Sequence, residues 1–112
     1  MKFMIACVAG LLCLANAANA VDMLHEETVA RAEEQQILAR PIAGIENRLW
    51  FNYRINVTEA QKELSSNLRH SSDIEDLRDA WEEYAVELRH ERRHYIKEMA
   101  ELGYRGTVTI EG

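Results

Sequence analysis

The sequence predicts an all-α fold built on an antiparallel helical hairpin, with helices at about residues 45–70 and 73–102. Apolar residues recur at steps of three and four in the first segment, and bulky ones recur every seven positions in the second. The short link between the segments suits a tight turn between helices. Helices of about 26 and 30 residues would span about 39 and 45 Å, so they could pack along nearly their full lengths.

The N-terminal end has the three-part pattern of a secretory signal. Lys2 supplies a positive charge, residues 3–15 are apolar and uncharged, and Ala18-Asn19-Ala20 offers small residues for cleavage, with Ala15-Asn16-Ala17 as a second such site. A bilayer span needs about twenty apolar residues, so this run is too short to remain as an anchor. We expect residues 1–20 to be removed and the product to be periplasmic or secreted, with no stable membrane anchor.

Composition narrows the functional class of the exported chain. Both cysteines, Cys7 and Cys13, lie in the predicted signal, and small secreted eukaryotic domains usually depend on disulfides, so a bacterial periplasm fits better. The full chain has a net charge of −6, and loss of Lys2 with the signal would make the remainder more acidic, which argues against nucleic acid as a partner because binding to phosphates requires a basic surface. About 92 residues remain after cleavage, which leaves little room for a catalytic cleft. We therefore predict a protein that is not an enzyme and has no cofactor.

Residues 21–44 are predicted to be a polar arm or a marginal helix. The segment is rich in Glu and Ala, which favour helix, but its apolar residues are sparse: Leu24, Val29, Ile37 and Leu38. Pro41 should end any helix here, because proline disfavours helical geometry in the residue before it. A turn is expected from Pro41 to Gly44.

The first hairpin segment admits two interpretations. One helical face is indicated by apolar residues at steps of four and three: Ile45, Leu49, Tyr53, Val57, Ala60, Leu64 and Leu68. However, residues 51–57 also alternate strictly between apolar and polar, which is typical of a strand. Such a strand could pair with residues 107–110 as a small two-stranded sheet, and a fresh helix could then begin after Thr58. We favour the continuous helix.

The second hairpin segment is the clearest element. Ser72 to Glu75 forms a capping box with Ser72 as the N-cap, and Gly103 is a natural C-cap. Bulky apolar residues spaced by seven occupy one heptad position: Ile74, Trp81, Leu88, Tyr95 and Leu102. Leu77 and Tyr84 occupy the companion position, which becomes Glu91 and Glu98 in the second half, where the neighbouring Met99 takes over. Residues 45–112 are therefore predicted to form one helical domain with a short extended tail.

A two-helix hairpin has no enclosed core, so its aromatic side chains need a cover. The N-terminal arm, the tail, a second copy of the chain or another protein could provide it. Because large uncovered apolar patches usually mark contact surfaces, we predict an interaction surface made by Trp50, Phe51, Trp81, Tyr84 and Tyr95. The predicted function is a non-enzymatic interaction or self-association module of the cell envelope, with a protein partner or a homo-oligomer.

His90-Glu91-Arg92-Arg93-His94 matches the H-E-x-x-H pattern of zinc proteases. At about 100° per residue, His90 and His94 lie near 200° and 240° from the seam residue Leu88, so both should point to solvent. Two neighbouring arginines would also oppose a metal cation. We expect solvated histidines, with transition-metal binding at His90 and His94 as the functional alternative.

Val57-Thr58-Glu59-Ala60-Gln61 resembles the L-T-x-x-Q motif of a family of periplasmic helical chaperones and stress sensors, with Val57 in place of its Leu. The resemblance covers five residues, and the same residues also form an ordinary capping box. It implies a helical, exported protein. Together with the histidine pair, it suggests the alternative of a metal-responsive or stress-related chaperone-like protein.

Overall fold

The computed structural model describes residues 23–104, which form three helices and one short 3₁₀ turn. The helices are α1 (His25–Glu34), α2 (Arg48–Arg69) and α3 (Ile74–Glu101), and the turn is Ile42–Gly44. The predicted signal peptide, residues 1–20, and the predicted strand at 107–110 lie outside the described residues.

Helices α2 and α3 form the predicted antiparallel hairpin. Asn56 at the middle of α2 donates to Glu91, and Asn67 near its end donates to Glu83, so the partner number falls as α2 advances. The all-α fold is thereby confirmed. Residues 51–57 lie within α2, so they form no strand. The helix buries Tyr53 and Val57 together, whereas a strand would also have turned the exposed Ile55 inwards.

Both hairpin helices begin at a side-chain cap. Asn47 accepts the Trp50 N–H at 3.0 Å. At α3 the predicted cap, Ser72, is wrong by one residue, because Asp73 accepts the Asp76 N–H at 2.9 Å. The backbone N–H and hydroxyl of Ser72 instead donate to the Asp76 carboxylate, at 3.1 and 3.0 Å. The Asp73 side chain is therefore the N-cap of α3.

Helix α1 packs along α3 and runs parallel to it. Glu26 contacts Arg78 near the start of α3, and Glu33 contacts Arg92 further along. Ala30 is completely buried between these contacts. Its small side chain allows the two helices to approach closely, so a helix with few apolar residues still joins the core.

The connection between α1 and α2 crosses the far end of the hairpin. The Leu38 N–H donates to the Tyr53 hydroxyl at 2.9 Å, and the Ile42 N–H donates to the Tyr95 hydroxyl at 3.0 Å. Ala43 and Gly44 both adopt positive φ, at 57° and 71°, which turns the chain back towards α2. Within residues 23–104, no helix is both long enough and apolar enough to cross a bilayer.

Candidate interaction surface

The predicted aromatic interaction surface is mostly internal. Trp50, Trp81, Tyr84 and Tyr95 are only 2–6% exposed, so four of its five members are not available to a partner. The physical reason is that the N-terminal segment covers them: Ala30 and Ile42 belong to the same core, and five more apolar residues of that segment pack against it, namely Leu24, Val29, Ile37, Leu38 and Ile45. Of the alternatives for the cover, the structure uses the arm of the same chain.

Three rings form the centre of this core. Tyr53 stacks on Tyr95 with ring centroids 5.0 Å apart, and Trp50 lies 5.9 and 5.8 Å from them. Burial raises the pKa of both tyrosines, so their hydroxyls stay protonated at neutral pH. Each of these hydroxyls accepts a backbone N–H from the connection, so the cluster acts as a structural clamp.

A second group of contacts joins α1 to the aromatic residues at the middle of α3. The Tyr84 hydroxyl donates to the Glu34 carboxylate at 2.6 Å, and the Arg31 guanidinium lies 4.7 Å from the ring centre of Trp81. Burial, and then the bond to Glu34, raise the pKa of Tyr84 well above its ordinary value. These two aromatic side chains therefore hold α1 in place.

Glu33 is the main electrostatic link between α1 and α3. It receives Arg92 at 2.6 Å and Arg89 at 3.3 Å. Burial raises the pKa of Glu33, but the hydrogen bonds and charges of Arg92 and Arg89 lower it by more, so the net shift is downwards. The carboxylate is therefore ionised throughout the physiological range, and Arg89 and Arg92 of α3 are used within the fold.

Phe51 alone among the five predicted aromatic residues reaches solvent. It is 49% exposed, and Ile55, one turn later, is 58% exposed. Both belong to a row of exposed residues that recur at steps of three and four, here named the outer face of α2: Arg48, Phe51, Ile55, Thr58, Lys62, Ser65 and Arg69. This row contains three cations and no acidic residue. It is an apolar and basic strip on a chain whose net charge is negative.

The histidine pair lies on α3 as predicted, with both side chains exposed. The rings of His90 and His94 are stacked with centroids 6.1 Å apart. Residues 23–104 contain no cluster of three or more His, Cys, Asp or Glu side chains suited to a metal ion. Two imidazoles supply half of the four ligands that a structural zinc site uses, so the pair by itself does not form such a site.

The remaining polar features offer little chemistry. No charged or amide side chain is fully buried within the described range, and the partly desolvated carboxylate of Glu33 is paired with Arg89 and Arg92. A groove near the turn of the hairpin is open to solvent, with exposed Asp76, Asp79 and Glu83 along it. The segment that resembles the chaperone motif lies in the middle of α2, where Val57 is buried and Thr58 and Gln61 are exposed.

Ile55 and the cations beside it were not predicted from the sequence as members of an interaction surface. A signal was present, because the outer face repeats with the same three-and-four spacing as the buried face, in a different phase.

No protein-family model, curated protein or solved structure matches this chain. The surface therefore has to be interpreted from its own chemistry.

Proposed function

We propose that this chain is a non-enzymatic binding module of the cell envelope that presents the outer face of α2 to a protein partner. The observation that carries the proposal is the exposure of Phe51 and Ile55, two large apolar side chains one turn apart. Single exposed apolar residues are ordinary on protein surfaces. A pair aligned on a helix, and turned away from an otherwise complete core, is typical of a contact surface.

The chemistry of the outer face defines the partner. Apolar side chains of the partner would pack against Phe51 and Ile55. Burying the exposed half of each side chain would contribute roughly 1 kcal/mol to the free energy of binding. Arg48, Lys62 and Arg69 need carboxylates around that apolar centre. The partner that fits is an acidic amphipathic segment of another protein, because opposite charges at the rim direct association and set its orientation.

The predicted location supports the same function. The secretory pattern of residues 1–20 would deliver the chain to the envelope, so the partner would be an envelope or exported protein. No charged side chain is fully buried within residues 23–104, and the partly desolvated Glu33 is already paired with two arginines of the fold, so neither observation favours catalysis. Binding through a helical surface needs no desolvated acid or base, and such a function fits a chain of this size.

A photo-crosslinking residue at Thr58 tests the proposal in cells. Thr58 lies on the outer face beside Ile55, whereas Ala32 on α1 is an exposed control position. We expect a discrete adduct with another protein from position 58 and not from position 32. The double variant Phe51→Ser with Ile55→Ser should abolish the adduct.

A matched variant shows whether the loss is specific. Ile74 and Leu102 are both 59% exposed at the two ends of α3, so Ile74→Ser with Leu102→Ser removes equally exposed apolar groups elsewhere. This control should retain the adduct at position 58. An adduct that survives the outer-face variant, or equal adducts from positions 58 and 32, would overturn the proposal. Circular dichroism checks that each variant is folded.

A further inference from the structure

Helix α3 has an exposed strip of its own, here named the outer face of α3. Its charged positions are spaced symmetrically about Val86, and the two sides carry opposite charge. The strip comprises Glu75, Asp79, Glu82, Val86, His90, Arg93 and Lys97, and every one of these residues is exposed. The intervals are four, three and four residues before Val86 and four, three and four after it. Three carboxylates lie on one side of Val86, and a histidine and two cations lie on the other.

The cations of this strip differ from the other arginines of α3 in their surroundings. Arg78, Arg89 and Arg92 each pair with a glutamate of α1. The side chains of Arg93, Lys97, Asp79 and Glu82 make no ion pair or hydrogen bond with any residue of the described range 23–104. Glu75 has only a long, exposed contact with Arg78 at 3.9 Å. The charges of the strip other than that pair are therefore free to face an external surface.

We propose that the outer face of α3 binds a second copy of this chain in antiparallel orientation, with the two-fold axis passing beside Val86. The symmetric spacing then sets each acidic residue opposite a basic one. Glu75 faces the partner's Lys97, Asp79 faces the partner's Arg93, and Glu82 faces the partner's His90. The two-fold axis repeats each pair, and the two Val86 side chains meet at the centre.

The alternative parallel arrangement is unfavourable, because it would set Asp79 against the partner's Asp79 and Arg93 against the partner's Arg93. The strip from Glu75 to Lys97 spans about 33 Å at 1.5 Å per residue, which is long enough for a side-by-side helix pair. The inference goes beyond the proposed function, since the outer face of α2 points away from α3. That face would stay open in the dimer, which would display two copies of it.

The chemistry of the interface predicts a weak, salt-sensitive dimer. One valine from each copy, 51% exposed in the single chain, is the main apolar contact, and the remaining pairs are ionic and near solvent. Raising the salt concentration shortens the screening length from about 10 Å at 0.1 M to about 3 Å at 1 M. We therefore expect the dissociation constant of the dimer to rise by on the order of tenfold between 0.1 and 1 M NaCl.

Sedimentation velocity on residues 21–112 is the first test. The buried core residues of the described range 23–104 lie between positions 30 and 99, so residues 21–112 contain all of that core. Two variants reverse the charge of one half of the strip each. Arg93→Glu with Lys97→Glu makes the strip acidic throughout, and Glu75→Lys with Asp79→Arg makes it mainly basic. Each variant alone should be monomeric. An equimolar mixture of the two should form a heterodimer, because each acidic position then faces a basic one.

A charge-matched control and a cross-link complete the test. Lys62→Glu with Arg69→Glu changes the same charge on the outer face of α2 and should leave the dimer intact. Neither native cysteine lies in residues 21–112, so Val86→Cys should form a disulfide-linked dimer under mild oxidation, whereas Asp79→Cys should not.

Three results would overturn the proposal: a wild-type monomer at 0.1 M NaCl and at concentrations up to 1 mM, a dimer unaffected by either α3 variant, or no heterodimer in the mixture. These results concern α3 alone. They leave the crosslinking result at Thr58 to decide the proposed function separately.

Discussion

The hydrogen bond between Ile42 and Tyr95 gives the sharpest test of how the N-terminal segment is held over the hairpin. The Ile42 N–H donates to the Tyr95 hydroxyl at 3.0 Å, and both residues are buried. Tyr95→Phe removes the acceptor and keeps the ring against Tyr53, whose centroid lies 5.0 Å away. The substitution therefore isolates a single contact between residues that are 53 positions apart.

The expected magnitude follows from the burial of the donor. Because water has little access to the Ile42 N–H, the variant loses the hydrogen bond and leaves a buried donor without an acceptor, which costs roughly 1–3 kcal/mol. For a folded body of this size, each kcal/mol lowers the midpoint of thermal unfolding by about 4–8 °C. We expect Tyr95→Phe to lower the midpoint by about 4–24 °C.

Urea unfolding monitored by tryptophan fluorescence measures this loss. Trp50 and Trp81 are both buried, so their emission should shift to longer wavelength as the core opens. Tyr104→Phe is the matched control, because Tyr104 lies on the surface at the end of the hairpin. A Tyr95→Phe variant as stable as Tyr104→Phe would refute the argument that this hydroxyl clamps the connection.

Three further predictions concern other contacts of the N-terminal segment. Tyr53→Phe should lower the free energy of unfolding, measured in urea, by about 0.5–1.5 kcal/mol, which is less than Tyr95→Phe. The reason is that the Leu38 N–H is partly exposed, so water can replace the hydroxyl. A loss equal to or greater than that of Tyr95→Phe would contradict this. The pKa of Glu33 is lowered in the folded state, so its contribution is present above the ordinary value of 4.5 and is lost as the pH falls through the folded value. The difference in unfolding free energy between wild type and Glu33→Gln should therefore be constant near neutral pH and shrink below about pH 4.5, and a difference that grows on acidification would show the opposite linkage. Ala43→Gly should raise the free energy of unfolding by up to about 1 kcal/mol, because Ala43 has φ 57°, a conformation that glycine adopts more easily than alanine. The control Ala32→Gly, within α1, should lower it by about 1 kcal/mol. A destabilised Ala43→Gly would show that this turn carries no strain.

The helices themselves were predictable because their signals are local. The seven-residue spacing through Trp81, Leu88 and Tyr95 correctly indicated the buried face of α3, and the four-and-three spacing through Tyr53 and Val57 did the same for α2. Periodicity of this kind arises within one or two turns of a helix, so it can be recognised without knowing the neighbours. The solvent positions of His90 and His94 followed from the same geometry.

The candidate site was only partly predictable. Of the five aromatic residues expected on the surface, Phe51 is exposed, and the other four are covered by the chain itself. The sequence indicates that a face is apolar, but it does not identify what lies against that face. The outer face of α2 could have been recognised from its spacing, although its exposure depends on the position of α1.

The helical class, the hairpin and the central residues of each buried face could be predicted from the sequence, because they depend on propensity, capping and periodicity along short stretches of chain. The place of the polar N-terminal segment in the core could be seen only in the folded chain. That placement depends on contacts between distant residues, such as Glu33 with Arg92 and Ile42 with Tyr95, and on the small side chain of Ala30 between two helices. No local pattern encodes such pairings, since each contact requires two segments about fifty residues apart to meet in one geometry.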